Sequence, residues 1–256
     1  MLALIEQTLD DVLPTASTRP AVLSQALRWA VEGGGKRIRP QLCLAAAEAA
    51  GGTAEEARQA AAAIELLHSY TLVHDDLPAM DNDRERRGKA SVWAQFGEAQ
   101  AILAGDALQA LAFQVAARTP RNAAAVVAAL ARAAMAVVEG QVGDLAQDEV
   151  DFVFPRKTAA LFVAAAEMGA RAVGAEERIV ARLGDYARHV GLAFQYEDDL
   201  LDGDDGSYSS LTALGRDEVV RRIAAHTAAA RAGLSGLPGN VDFLDKLAQR
   251  LSERAR

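Results

Sequence analysis

Residues 68–88 read HSYTLVHDDLPAMDNDRERRG. An apolar stretch with helical spacing runs into Asp75, Asp76 and Asp81, with Pro78 between them and Arg86 and Arg87 close behind. The stretch FQYEDDLLDGDDG at 194–206 repeats the plan, with Asp198, Asp199 and Asp202 closing a long apolar segment. Two acidic clusters about 120 residues apart, each at the C-terminal end of an apolar helix, can face each other across a bundle. Helix bundles build metal sites in this way, from side chains on facing helices.

Around these clusters the helical period continues from end to end. Helices are expected over roughly 2–12, 20–33, 39–50, 54–76, 94–117, 122–144, 156–171, 175–202, 216–232 and 241–254. Breaks are expected at 33–35, 51–52, 119–120, 154–155, 174 and 203–210, where glycine, proline or polar runs interrupt the pattern. No segment sustains a period of two, and no strand–helix alternation appears. The expectation is an all-α fold, one domain over residues 1–256 with about ten or more helices around a central cavity.

Composition agrees. The chain of 256 residues is 51% hydrophobic with 5% aromatic residues, an Ala- and Leu-rich profile with enough apolar mass for one large core. A net charge of −8 argues against nucleic acid as a partner. Cys43 has no second cysteine to pair with, and MLALIEQTLDDVLPT carries acids where a signal peptide needs bases. Charged residues interrupt apolar stretches such as AAAVVAALARAAMAVV before they reach the roughly 20 residues a bilayer span needs. A soluble cytoplasmic protein without a membrane span is expected.

The acidic clusters differ in geometry. Asp198 and Asp202 are four residues apart and share a helix face, as do Asp199 and Asp202 at three. Like charges at those spacings destabilise a helix unless a cation compensates, and Mg²⁺ suits carboxylate oxygens. Asp75 and Asp81 are six apart, about 240° around an ideal helix, so a straight helix could not aim both at one ion. Pro78 removes a helical hydrogen bond, and a bulge over LPAM would return Asp81 towards Asp75. Mg²⁺ keeps waters and shares substrate phosphates, so a phosphorylated substrate follows. Lys36, Arg37 and Arg39 in GGGKRIRP, Arg86 and Arg87, and Lys157 in RKTAALF are the cations available to grip it. Taken singly, each of these features is ordinary surface or packing; together and in order they point to one site.

In that order the residues resemble the trans-isoprenyl diphosphate synthases (polyprenyl synthetases), most closely the bacterial farnesyl diphosphate synthase group. DDLPAMD at 75–81 is similar to the family's first aspartate-rich motif with two inserted residues, and FQYEDDLLD at 194–202 to its second. GGGKRIRP, RRG at 86–88, FGEAQAILAGDAL at 96–108, EGQVGDL at 139–145 and KTAALF at 157–162 fall in the family's sequence order. The resemblance implies an isoprenoid-synthase bundle, usually a homodimer, acting on isopentenyl diphosphate and an allylic diphosphate. It implies three Mg²⁺ held by Asp75, Asp81 and Asp198, with Asp76, Asp199 and Asp202 as further ligands or behind them. Arg86, Lys157, Thr158 and Gln195 would serve ionisation of the allylic diphosphate. Lys36, Arg39, His68 and Arg87, with Arg37 beside them, would hold isopentenyl diphosphate. Tyr70, with Thr71, would floor the tunnel and stop the product at C15, farnesyl diphosphate.

Two departures stand out. Relatives carry a lysine-bearing loop after the second motif; here the chain reads GDDGSYSSLTALG, and no lysine occurs between Lys157 and Lys246. Trp93 stands where relatives commonly have histidine. The alternatives are a noncatalytic partner subunit of a heteromeric synthase, favoured by the short loop, and a terpene synthase-like enzyme on the same fold.

Overall fold

The computed structural model describes residues 1–203 and 209–254, and helices make up most of them. The chain runs α1 (Leu2–Val12), α2 (Ala21–Val31), α3 (Ile38–Ala49), a 3₁₀ turn (Glu55–Ala57) and α4 (Arg58–Asp75). A hairpin of two-residue strands follows, β1 (Glu85–Arg86) and β2 (Lys89–Ala90), then α5 (Val92–Phe96), α6 (Glu98–Ala116) and α7 (Ala123–Leu145). Next come α8 (Val150–Phe154), a π turn (Pro155–Ala159), α9 (Ala160–Ala172) and α10 (Glu177–Asp202), and finally α11 (Ser210–Leu214), α12 (Arg216–Gly233) and α13 (Asp242–Arg254).

The helix that carries the first acidic cluster is the centre of the bundle. Ala60 to Ala63, Ile64, Leu66 and Leu67 are all buried, so α4 is apolar around its circumference and must be enclosed. α1, α2, α3, α6 and α9 enclose it, and the run of alanines lets them approach closely. α10 lies against α9 and α12, with a smaller core of Val150, Val153, Phe154, Tyr196, Leu200, Val219 and Ile223 beneath it. The acidic ends of α4 and α10 are thereby carried to the same region of the bundle.

Four local readings are corrected. The expected helix at 94–117 is two, because Gly97 at φ 89° ends α5 and starts α6, a conformation open to glycine. The expected break at 154–155 is absent: α8 runs on through the π turn into α9, whose wider winding accommodates the missing N–H of Pro155. The β1–β2 hairpin and α11 were not foreseen, being too short for a periodic signal. α7 is, by length and composition alone, apolar enough to cross a bilayer, contrary to expectation; 39% of its most apolar window is buried in the fold.

Candidate active site

At the end of α4 the backbone does what Pro78 suggested. Asp76 caps the helix, the Leu77 N–H returns to His74 O, and the Asp81 N–H donates to the Asp75 carbonyl at 2.8 Å. This closure brings Asp81 beside Asp75 although they are six residues apart. Burial pushes the Asp75 carboxyl up to about 6; Asp81 and Asp76 push the same way, while Lys157 and Arg86 pull against them. Asp81 is also raised, again chiefly by burial, with Lys157 opposing and Asp144 and Asp83 adding to the rise. Such a pair is short of positive charge, the condition a divalent cation relieves.

Lys157 and Thr158 ride on the π turn opposite. The turn lies so close to α7 that a Cβ on Gly140 would stand 2.3 Å from the Lys157 backbone nitrogen. Lys157 Nζ is ion-paired with Asp144 of α7. Thr158 Oγ1 donates to Gln195 Oε1 at 2.5 Å, and Gln195 Nε2 donates to Asp199 Oδ1 at 2.7 Å. The Ser210 N–H donates to Asp199 Oδ2 at 2.7 Å, so this chain ties the π turn through α10 to α11.

The cationic half adjoins. A cavity of about 470 Å³ is lined by Lys36, Arg39, His68, Arg87, Glu65 and Asp198, among others. Arg39 Nη1 donates to His68 Nε2 at 3.1 Å, which makes Nδ1 the protonated nitrogen of a neutral ring. Burial, with Arg39 and Arg87 nearby, holds the His68 pKa well below its ordinary value. Burial likewise lowers Arg39 to about 10, and Arg39 also stacks over Phe162. Arg39 Nε and His68 Nδ1 are buried N–H groups with no hydrogen-bond partner among the described residues. Unpaired buried donors are costly, and an acceptor-rich ligand is what would satisfy them. Arg87 donates to Gly34 O, and Lys36 stands exposed at the rim.

Several expected roles change. Arg37 is buried in the wall of this cavity with its guanidinium committed to Glu65, Glu6 and the Val31 carbonyl. Asp76 is buried against Arg86, and Asp199 is held by Gln195 and Ser210, so each carboxylate already has hydrogen-bond donors of its own. Arg86 arrives already paired with Asp76 and Asp83. Thr71 turns its hydroxyl back to His68 O at 2.8 Å. Tyr70 is buried, edge-on to His74 at 5.4 Å. The Asp202 side chain and residues 204–208 of the lysine-free loop lie outside the described residues.

Two participants were missed. Asp144 sits in GQVGD, which also reads as a plain helix end; Glu65 is a lone charge in AAAAIELLHS, and a carboxylate in so apolar a run was the available signal. Among the described residues, no three Asp, Glu, His or Cys side chains converge on one point. The Asp75 and Asp81 carboxylates, brought together and both raised by burial, are hard oxygen donors of the kind Mg²⁺ takes one or two of beside water and substrate phosphate.

The family model for polyprenyl synthetases matches residues 20–224. A geranylgeranyl diphosphate synthase of Cyanophora paradoxa is 43% identical over 214 residues, covering 78% of this chain and 71% of its own. A heterodimeric geranylgeranyl pyrophosphate synthase large subunit of Arabidopsis thaliana is 36% identical, covering 95% and 69%. The solved structure of an FPP/GFPP synthase from Zymomonas mobilis superposes with a TM-score of 0.88 at 36% identity, covering 98% of both chains. With its acidic and cationic halves set side by side in an all-helical bundle, the chain belongs to the polyprenyl synthetase family of prenyltransferases.

Proposed function

We propose that the protein is a Mg²⁺-dependent short-chain trans-prenyl diphosphate synthase joining an allylic diphosphate to isopentenyl diphosphate. The observation that carries this is the adjacency of the Asp75–Asp81 pair, facing Lys157, to the cavity lined by Lys36, Arg39, His68 and Arg87. Asp75, Asp81 and Asp198 would hold Mg²⁺, which supplies charge neutralisation of the departing pyrophosphate. Lys157 and Arg86 add cationic contacts to that leaving group, so the allylic C–O bond breaks with its electron pair on pyrophosphate. Thr158 and Gln195, locked in one hydrogen-bonded chain, present oxygens to the allylic cation. Arg39, His68, Arg87 and Lys36 orient isopentenyl diphosphate so that its π electrons form the new C–C bond. A proton then leaves to pyrophosphate. The geometry agrees with that assignment, since His68 is held neutral with Nε2 already occupied.

A C15 product is proposed from Tyr70, whose buried ring packs edge-on against His74. The C20 name of the Cyanophora paradoxa relative favours a second reading, geranylgeranyl diphosphate. Incubation with Mg²⁺, isopentenyl diphosphate and dimethylallyl or geranyl diphosphate, followed by sizing of the dephosphorylated products, separates them. The expected product is C15, lengthening in Tyr70→Ala; a C20 product from the wild type discards the floor, and no extension with either starter discards the synthase. Self-association is proposed through α6 and α7, where Ile102, Leu103, Met135, Val138, Val142 and Leu145 stand exposed.

A further inference from the structure

Arg37 occupies an unusual backbone position between two cavity-lining cations. Its φ of 47° lies in the left-handed region, which a non-glycine residue holds only when its surroundings require it. The surroundings here are explicit. Nη1 donates to Glu65 Oε1 of α4 at 2.7 Å, Nη2 to the Val31 carbonyl of α2 at 2.8 Å, and Nε to Glu6 Oε1 of α1 at 2.8 Å. The Arg37 and Glu65 side chains are 2% and 3% exposed, so theirs is a buried, charge-assisted pair. On the loop, Lys36 and Arg39 flank Arg37; on α4, His68 lies one turn beyond Glu65 and meets Arg39. Glu65 is also the counter-charge that Arg39 and Arg87 feel, which lets several cations gather on one wall of the cavity.

We infer that Arg37, with Glu65 and Glu6, is a positioning clasp: it fixes the 36–39 loop to α4 and α1 so that Lys36, Arg39 and His68 stand in register for isopentenyl diphosphate. The inference rests on the proposed function and assigns these three residues no contact with the reacting atoms. Its selectivity is the testable part. The clasp touches the cationic cavity and not the π turn or the Asp75–Asp81 pair, so it acts on one substrate of the two.

The experiment compares the wild type with Glu6→Gln and with the double variant Arg37→Met/Glu65→Met, varying isopentenyl and allylic diphosphates in turn and recording thermal unfolding. An apolar pair can replace a buried ion pair without loss of folding stability, so the double variant separates positioning from folding. Its KM for isopentenyl diphosphate is expected to rise about ten- to a hundredfold, with kcat and the allylic KM held within about twofold. Glu6→Gln, at an exposed carboxylate, is expected to raise the same KM about threefold, and it decides alone if the double variant does not fold. A folded double variant with the wild-type KM overturns the clasp, as does an equal rise in both KM values. If the wild type extends no starter, the functional reading fails first. The clasp is then tested by calorimetric titration of inorganic pyrophosphate, where unweakened binding in the variants overturns it.

Discussion

Burial and its acidic neighbours hold the Asp75 carboxyl up near 6, so the folded protein is penalised for every unit of charge placed there. The sign follows from the unfolded chain, where an aspartate titrates near 4. Above about pH 6 the native carboxylate is charged at a cost, and that cost shrinks as pH falls from about 6 and is gone below about 4, where the unfolded chain is protonated too. Asp75→Asn should therefore raise the metal-free Tm at pH 7.5 by a few degrees, less than the full shift implies because the group still touches solvent. On the proposed function the same variant should lose about a thousandfold in kcat, since a neutral amide would hold Mg²⁺ more weakly against the leaving pyrophosphate. Calorimetry beside steady-state assays checks both, and a less stable Asp75→Asn would contradict the electrostatic account. Added Mg²⁺ with pyrophosphate should raise the wild-type Tm and leave that of Asp75→Asn little changed.

At the scale of elements, the crossing of α7 with the π turn sets where Lys157 and Thr158 stand. Gly140→Ala would drive a methyl carbon into the Lys157 backbone nitrogen at 2.3 Å, and neither partner is a flexible side chain that could give way. The expected outcome is a lower Tm and a loss of about a hundredfold in kcat, read by unfolding and turnover on the same preparation. The seam between α10 and α12 has a different sensitivity. His189 and His226 share a hydrogen bond between their Nδ1 atoms at 2.9 Å, with Tyr196 stacked on His226. Burial lowers both histidines; His189 and Arg222 lower His226 further, while Asp185 and Asp151 oppose. As pH falls below about 6.5 the unfolded chain takes protons that the native pair resists, so stability is lost towards acid. His226→Gln should flatten the fall in Tm between pH 7.5 and 5.5; an unchanged slope would remove the pair from the account.

For the whole molecule, the apolar stripe on α7 recurs at helical spacing through Met135, Val138, Val142 and Leu145, and α6, which packs on α7, exposes Ile102 and Leu103. Exposed apolar surface of this extent marks an interaction face. A second copy is the proposed occupant, and Val142→Glu should shift the particle from dimer to monomer in light scattering with little change in the helical spectrum. A wild type already monomeric would overturn the proposed self-association.

Periodicity alone determined the all-helical class, because each helix must bury one stripe and that demand is written every three or four residues. The spacing of Asp75, Pro78 and Asp81 likewise announced a bent helix end, since the rotation per residue is a local property of the backbone. Junctions shorter than a helical turn, the β1–β2 hairpin and α11, leave no periodic trace and were settled by packing. So were the assignments within the site. Arg37 and Arg39 are two residues apart in GKRIRP, and nothing local says that one pairs with Glu6 and Glu65 while the other meets His68 and keeps an unpartnered Nε. Asp75 and Asp76 are adjacent, yet only the latter meets Arg86. Residue type announces that a charge needs a partner; which partner it receives depends on how the helices cross, and that is a property of the assembled bundle.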